Sequence, residues 1–215
     1  MADTYTDVKG DILNNYLNEH WIAPVKSTGD PEWQYLGNGI TQVDFKPTDK
    51  KKTAAYYDGG GAEQTTVTGV TFSLDVTGDR AIGNTAQDLI ADMDNKTGKA
   101  RIVHFRRIEY ILNDDGKLQA TRAYDGEATV SDIQAGGGAA DDNGSFKCTI
   151  TFNTAPKVIK ASESAAELDA LQDVNPSQNK DILHVDLVNA SDSTTPGGNS
   201  ATTDSAVVDG TTLQS

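Results

Sequence analysis

Two stretches of the chain alternate between apolar and polar residues, the pattern of a strand with one face on a core and the other in water. In residues 64–77, Val, Phe and Leu occupy one face while Thr, Ser and Asp occupy the other. Residues 146–152 alternate in the same way and place Cys148 on the apolar face. Both stretches predict antiparallel strands of a mainly β protein.

A third and a fourth strand flank a turn sequence. Residues 113–116 read Asn-Asp-Asp-Gly, which is typical of a β-hairpin, so a strand over 101–112 is predicted to pair with one over 118–130. In the first of these strands, Val103 and Phe105 fall out of phase with the later apolar residues.

One extra residue in the middle of that strand would keep one of its faces apolar. We therefore expect a β-bulge at Arg106 or Arg107.

Helical spacing of apolar residues occurs near the N-terminus and in the middle of the chain. Residues 11–21 predict a short amphipathic helix that ends before Pro24 and forms an N-terminal arm. Residues 85–94 predict the best-defined helix, because Asn84 and Gln87 stand at capping-box spacing.

The C-terminal part begins with a second capping box. Ser164 and Glu167 predict a short helix that ends before Pro176, and the alternating residues 183–187 predict a last strand. Beyond residue 189 the chain consists mainly of Ser, Thr, Gly and Asp, without Lys or Arg. Such a composition buries too little apolar surface to offset its ordering entropy.

These predictions divide the chain into one folded domain and a tail. Residues 1–189 are predicted to form a β domain with an N-terminal helical arm, and residues 190–215 a flexible C-terminal tail or linker. Within the domain, residues 33–36 and 40–45, separated by Gly-Asn-Gly, predict a hairpin-like pair of strands.

The segment 46–61 breaks the alternation and is predicted to be a long, exposed, mobile loop. Its tyrosines are unexpected in a loop that only meets solvent, since large amphipathic side chains are typical of interfaces. The residues of interest are Lys50, Lys51, Lys52, Tyr56, Tyr57 and Asp58.

Charge narrows the possible partners. With 18 basic and 32 acidic residues the formal net charge is 18 − 32 = −14, which disfavours tight binding to nucleic acid or to an anionic membrane. DNA can still move past a wall of its own sign. The N-terminus lacks the pattern of a secretory signal and no apolar run reaches about 18–20 residues, so we expect synthesis in the cytoplasm and no membrane partner.

The sequence offers no constellation typical of catalysis. The three histidines, His20, His104 and His184, fall in different predicted elements without a ligand cluster, so neither a metal nor a cofactor is predicted. Cys148 lies on an apolar face, where a buried inert thiol is expected instead of a nucleophile. We therefore expect a protein that is not an enzyme.

The order of elements resembles the tail tube proteins of siphophages, the long-tailed bacteriophages. The resemblance is carried by scattered residues between 33 and 152: the run Trp33-Gln34-Tyr35-Leu36-Gly37-Asn38-Gly39-Ile40, the run Tyr56-Tyr57-Asp58-Gly59, the strand 70–78, the helix 84–94, the strand 101–111, the segment 124–130 and the strand 144–152.

This resemblance implies a structural virion protein of the phage tail. It would assemble with itself into hexameric rings whose inner wall is a closed β-barrel, and the rings would stack into a tube that joins other tail proteins and conducts DNA. The implied subunit is an antiparallel β-sandwich or partial barrel with a flanking α-helix. We expect acidic side chains of the polar strand faces to line the lumen, and the segment 46–61 to join stacked rings. The lumen candidates are Asp44, Asp75 and Glu127.

Three alternatives remain open at this stage. An extracellular or virion β-sandwich that binds carbohydrate or mediates adhesion would need an aromatic platform, which is not evident in the sequence. The tube protein of a contractile secretion system has a similar fold. An enzyme is the weakest alternative, because no residue cluster supports one.

Overall fold

The computed structural model describes residues 13–189. In chain order the elements are β1 (Glu19–Pro24), β2 (Gln34–Tyr35), β3 (Ile40–Ala55), β4 (Glu63–Asp79), α1 (Thr85–Ala91), β5 (Ile102–Leu112), β6 (Leu118–Ala135), β7 (Ser145–Phe152), β8 (Lys157–Lys160), α2 (Ala161–Val174), α3 (Gln178–Leu183) and β9 (Leu187–Val188).

The strands form a single sheet in the order β2-β1-β5-β6-β7-β4-β3, with β8 and β9 paired to β6. Every pair is antiparallel except the short β6–β9 pair. The outermost strands β2 and β3 are joined by residues 36–39 alone, which span at most roughly 18 Å. The sheet therefore curls until its two edges approach each other, and it stays open. The predicted mainly β, antiparallel fold with a flanking helix is confirmed.

The predicted hairpin of residues 33–36 with 40–45 is wrong. β2 pairs with β1 and β3 pairs with β4, so residues 36–39 carry the chain from one edge of the sheet to the other. At this crossing the backbones of Gly39 and Gly78 touch, and a Cβ atom at Gly78 would lie 2.2 Å from the Gly39 carbonyl oxygen. The Gly-Asn-Gly sequence thus serves a close backbone crossing instead of a two-residue turn.

The main core lies between the curled sheet and α1. It contains fully buried side chains from α1 and from β4, β5 and β7, among them Leu74, Ile90, Phe105, Phe146 and Ile150.

Helix α1 begins as predicted. The side chain of Asn84 accepts a hydrogen bond from the backbone N–H of Gln87 at 3.0 Å. The helix ends at Ala91, before the predicted Asp94, although Met93 is still buried in the core.

A second core lies beneath the C-terminal helices. Its buried members are Leu17, Trp21, Ile108, Tyr110, Leu118, Ala120, Ala123, Ile159 and Leu168. Strand β5 contributes to both cores from opposite faces, because Phe105 points into the main core and Ile108 into the second.

This double burial explains why the predicted bulge at Arg106 or Arg107 is wrong. Both arginines pair in regular register, with Asp125 and Tyr124. The irregularity lies further along, where β6 accommodates Thr121 as an extra residue. The out-of-phase apolar residues of β5 mark a change of core, not an insertion.

The predicted N-terminal helix over 11–21 is also wrong. The described part forms a 3₁₀ turn at Asn15–Leu17 and then strand β1, while residues 11 and 12 lie outside the described residues. Strand β1 pairs on both sides and is buried on both faces, so its apolar residues show no strand alternation.

The C-terminal prediction holds only in part. A helix does end before Pro176. The segment α2 begins at Ala161, but the non-helical angles of Ser164 (φ −149°, ψ 62°) kink it, so the helical run that reaches Val174 starts after Ser164, where the capping box predicted it. The predicted strand over 183–187 is replaced by the end of α3, a left-handed residue at His184 and the two-residue strand β9. The predicted tail, residues 190–215, lies outside the described residues.

Candidate assembly surfaces

A two-stranded arm projects from the sheet. Strands β3 and β4 pair along their whole length, but β4 pairs with β7 only from Ser73 onward. Residues 46–72, which we call the arm, therefore extend beyond the body of the sheet, and most of them are exposed.

The predicted mobile loop over 46–61 is wrong, because residues 46–55 are a continuous part of β3. Pro47 is tolerated there because the outer side of an edge strand has no further strand to bond. No strand alternation marks this region, since neither face of the arm meets a core of its own chain. The other strand of the arm, residues 63–72, belongs to β4 and was covered by the strand predicted over 64–77.

The arm ends in a narrow tip. A 3₁₀ turn at Tyr57–Gly59 is closed by Gly60 in the left-handed conformation (φ 63°). Tyr57 is fully exposed and Tyr56 is half-exposed. Asp58 is the middle residue of the turn and is exposed as well. Two large side chains thus stand at the most distant point of the arm.

The three lysines lie on the shaft of the arm instead of a loop. Lys50, Lys51 and Lys52 are exposed, and their partners on β4 are Gly69, Val67 and Thr66. A register shift between Lys50 and Lys51 interrupts the alternation of side chains at this point.

The three predicted lumen residues share one polar face of the sheet. Asp44 and Asp75 are direct cross-strand neighbours, and Asp75 accepts a 2.9 Å hydrogen bond from the Thr149 hydroxyl of β7. Glu127 of β6 belongs to the same face, since the alternation continues from Thr149 through its partner Ser131. In the sequence, each of the three residues was chosen from the alternation of its own strand. In the structure, the pairing of these strands places all three on one surface.

A cation that the sequence reasoning missed also lies on this face. Lys46 donates a 2.7 Å hydrogen bond to Asp75 and lies 4.0 Å from Asp44. The hydrogen bond from Lys46 holds the pKa of Asp75 below its usual value, and the Asp75 carboxylate in turn raises the pKa of Lys46. Part of the acidic charge is therefore offset, and Glu127 is the most exposed of the three acids.

A groove follows the seam where the sheet stays open. It has a volume of about 1240 Å³ and runs between residues 40–46 of β3 and residues 15–20, which comprise the 3₁₀ turn before β1 and the start of that strand. Its floor is formed by Arg107, Glu109 and Tyr124. Arg107 pairs with Glu109 at 2.8 Å, and its guanidinium lies 4.8 Å from the ring centre of Phe45.

Two buried polar atoms of the groove-lining residues have no hydrogen-bond partner among the described residues. They are the Oδ1 atom of Asn18 and the Nε2 atom of His20. Burial and the charge of Arg107 lower the pKa of His20 to about 3, so its imidazole is neutral at physiological pH. The groove was not predicted, because its residues come from separate segments that only the curl of the sheet brings together.

The described residues contain no group of three or more His, Cys, Asp or Glu side chains placed to hold a metal ion. Burial, together with the charge of Asp75, raises the pKa of the Cys148 thiol to about 12, so it is a poor nucleophile. Among residues 13–189, no helix is long and apolar enough to cross a membrane.

No family model matches the sequence, and no curated protein matches it. Among solved structures, the chain is similar to the tail of an empty GTA particle with C6 symmetry, at 13% identity over 69% of this chain and 98% of that chain, with a TM-score of 0.46. It is also similar to the sheath–tube complex of an extracellular contractile injection system, PVC, at 12% identity over 71% and 94%, with a TM-score of 0.47. An Hcp protein aligns at 10% identity over 66% and 99%, with a TM-score of 0.36.

Proposed function

We propose that this chain is a structural virion protein that assembles with itself into stacked hexameric rings, forming a phage tail tube through which DNA passes. The observation that supports this most is the arm, because residues 46–72 form a long, regular, exposed ribbon with no cover from their own chain. A two-stranded ribbon alone is marginally stable in water. Contact with other subunits supplies the missing cover.

Ring formation follows from the open sheet. Strand β3 is an edge strand over its full length, and an exposed edge presents unpaired backbone groups that pair readily with another chain. Joining the edges of neighbouring subunits into one barrel removes them. Six subunits are what the tail tube resemblance implies.

In the ring, the polar face that carries Asp44, Asp75 and Glu127 lines the lumen. Thr and Ser side chains occupy much of the same face, among them Ser73, Thr77, Thr129, Ser131, Thr149 and Thr151. Small hydroxyl side chains with an excess of acid give DNA no cationic patch to bind, so it passes without being held.

Stacking of the rings is the role of the arm. Tyr56 and Tyr57 are large amphipathic anchors of the kind that interfaces bury. Lys50, Lys51 and Lys52 meet the neighbouring ring, whose subunits each carry a formal net charge of −14.

The alternative of a carbohydrate-binding or adhesion module finds less support. Trp21 is buried in the second core, and Trp33 is covered by the guanidinium of Arg106 at 4.1 Å from its ring centre. Neither tryptophan is available for a flat aromatic platform.

Negative-stain electron microscopy of the purified full chain at increasing concentration tests the proposal. Rings and tubes are expected. A variant lacking residues 50–58, which removes the tip and half of the shaft, serves as the control and should give folded subunits or rings but no tubes. A chain that stays monomeric at every concentration, in the presence of other tail proteins as well, contradicts the proposal.

A further inference from the structure

We propose that the end of the subunit opposite to the arm receives the arm of a second copy of this chain, so that the arm lysines, residues 50–52, lie against Asp141 and Asp142. This end, which we call the far end, consists of the loops 80–84 and 136–144. The inference rests on the proposed function and adds to it the surface on which the arm docks.

The arm and the far end lie at opposite ends of one pair of strands. Strand β4 runs from Glu63, next to the arm tip, to Asp79, where the loop 80–84 begins. Twelve residue steps separate Val67, the partner of Lys51, from Asp79, which is about 40 Å at ~3.4 Å per residue. The continuous ladder of β3 and β4 thus keeps the arm lysines away from the far end of their own chain. Any contact between these two surfaces is a contact between two copies.

Such a contact joins different surfaces of the two copies. A head-to-tail contact of this kind repeats along one direction without closing, as a stack of rings requires. Contact between two arms would instead join identical surfaces and leave both far ends free, so growth would need a second type of contact. The far end is therefore the surface that an arm can meet in every ring of a stack.

The loop 80–84 is anchored and presents a large apolar side chain. The carboxylate of Asp88 accepts a 3.0 Å hydrogen bond from the Gly83 N–H and pairs with Arg80. Between these two anchored residues the side chain of Ile82 is 89% exposed. Because the loop is already ordered, packing Ile82 against the tyrosine rings of an arm tip costs little conformational entropy.

The second loop of the far end is joined to the first. The side-chain amide of Asn143 donates a 3.0 Å hydrogen bond to the carboxylate of Asp79, and the Arg80 backbone N–H donates a 2.6 Å hydrogen bond to the Gly144 carbonyl oxygen. The two loops therefore form one continuous surface.

The far end and the arm are complementary in charge. Asp79, Asp141 and Asp142 are exposed at the far end and form no ion pair with another described residue, while Lys147 is an exposed cation nearby. The three arm lysines are also exposed and have no ion-pair partner among the described residues. Docking brings together charges that each copy leaves unpaired, and such complementarity selects the partner and its orientation.

Zero-length cross-linking with a carbodiimide provides the direct test, since it joins a lysine amine to a carboxylate only where the two are in contact. In assembled tubes, mass spectrometry is expected to find the arm lysines linked to Asp141 or Asp142. The two sites are too far apart within one chain to react, so each such link joins two copies. Tubes in which the arm lysines are linked only to other acidic residues, or to none, overturn the inference.

Charge reversal gives an independent readout. Changing the three arm lysines to Glu and, separately, Asp141→Lys with Asp142→Lys should each raise the concentration needed for tube formation by about tenfold or more. Combining the two sets restores opposite charges across the contact and should return that concentration to within about threefold of the wild type. The matched control is Asp114→Lys with Asp115→Lys, an exposed pair in the turn at the other end of β6, which should not rescue the arm variant.

The apolar part of the far end is tested by one substitution. Ile82→Ser should raise the concentration needed for tube formation by about fivefold. Ile182→Ser, at an isoleucine of α3 that is 69% exposed, should leave it unchanged. Unchanged thermal denaturation of the subunit shows that the effect is one of assembly.

The outcomes separate this inference from the proposed function. Tubes that form at the wild-type concentration from the variant with Asp141→Lys and Asp142→Lys show that the arm docks elsewhere, which overturns the inference and leaves the tube function standing. Absence of both tubes and cross-links in the wild type overturns both. Rescue by the combined reversal, together with the cross-link in wild-type tubes, supports the inference.

Discussion

The hydroxyl of Ser177 donates a 2.7 Å hydrogen bond to the carboxylate of Glu19, although the two residues are 158 positions apart in the sequence. Glu19 is fully buried and also accepts hydrogen bonds from the Asn179 backbone N–H at 2.9 Å and the Trp21 indole N–H at 3.3 Å. This carboxylate ties the start of α3 to strand β1 and holds the C-terminal helices over the second core.

Removing the acceptor should destabilise the subunit. Glu19→Ala leaves the Ser177 hydroxyl and the Asn179 N–H buried without a partner, and we expect a loss of about 2–3 kcal/mol in the free energy of unfolding. Glu19→Gln keeps one acceptor and should cost less, about 1 kcal/mol. Urea denaturation measures both; equal stability of wild type and Glu19→Ala would contradict the role of this network.

The same carboxylate should make stability depend on pH. Burial raises the pKa of Glu19 above its usual value, and the hydrogen bonds offset this only in part. The folded state therefore binds the proton more tightly than the unfolded state. The stabilisation from this group is fully present below the unfolded pKa of about 4.3 and is lost as the pH rises through the folded pKa.

The check is a comparison of two titration curves. As the pH rises from about 4.5 to neutrality, the advantage of the wild type over Glu19→Gln in unfolding free energy should shrink, or the glutamine variant should become the more stable of the two. Parallel curves over this range would show that Glu19 has the same pKa in both states.

Gln87 is predicted to hold the crossing between the sheet edges in place. Its fully buried side chain accepts a hydrogen bond from the Ala81 N–H at 2.8 Å and donates to the carbonyl oxygens of Asn38 at 2.8 Å and Asp79 at 3.1 Å. Gln87→Ala should lower the free energy of unfolding by about 2–3 kcal/mol, because three backbone groups lose their partner. The exposed change Glu163→Ala, measured by the same denaturation, should have an effect within about 0.5 kcal/mol.

Stacking should depend on the arm lysines and on salt. Replacing Lys50, Lys51 and Lys52 together by Gln should weaken tube formation, and in the wild type tubes should weaken as ionic strength rises above roughly 0.15 M, where the screening length is about 8 Å. The triple change of Lys96, Lys99 and Lys117 to Gln alters the net charge equally but lies outside the arm. Light scattering against salt concentration measures both; identical curves for the two triple variants would refute a specific role of the arm.

Charge reversal tests the proposed lumen. Changing Asp44, Asp75 or Glu127 to Lys should leave rings intact and slow the passage of DNA. Glu127→Lys is the cleanest of these variants, because Asp75 is bonded to Lys46 and Thr149, and Asp44 lies near Lys46. DNA ejection from assembled particles is the measurement, and unchanged ejection in all three variants would count against this face as the lumen.

The sequence predicted best where the burial of one side chain face was decided locally. Strand β7 alternates because one face meets the main core, so its limits were predicted to within one residue and the inward direction of Cys148 was predicted correctly. The start of α1 was predicted because its cap joins Asn84 to Gln87, only three residues away.

Prediction failed where burial depends on distant strands. Strand β1 is buried on both faces and was predicted to be a helix. Strand β5 changes from one core to the other and was predicted to be bulged. The part of β3 that lies in the arm meets no core of its own chain and was predicted to be a loop. In β1 and β5 the spacing of apolar residues was real, but its cause was a packing partner that the local sequence does not contain.

The amino-acid sequence by itself determined the mainly β class, the hairpin turn, the main helix and the polar character of the strand faces, because these depend on alternation, caps and turn residues within a few positions. Only the tertiary structure decided that the sheet curls and stays open, that the acidic residues share one face, and that a groove lined by Asn18 and His20 lies at the base of the arm. Strand order and register are set by hydrogen bonds and packing between segments far apart in the chain, and such long-range pairing leaves no periodic trace in the sequence.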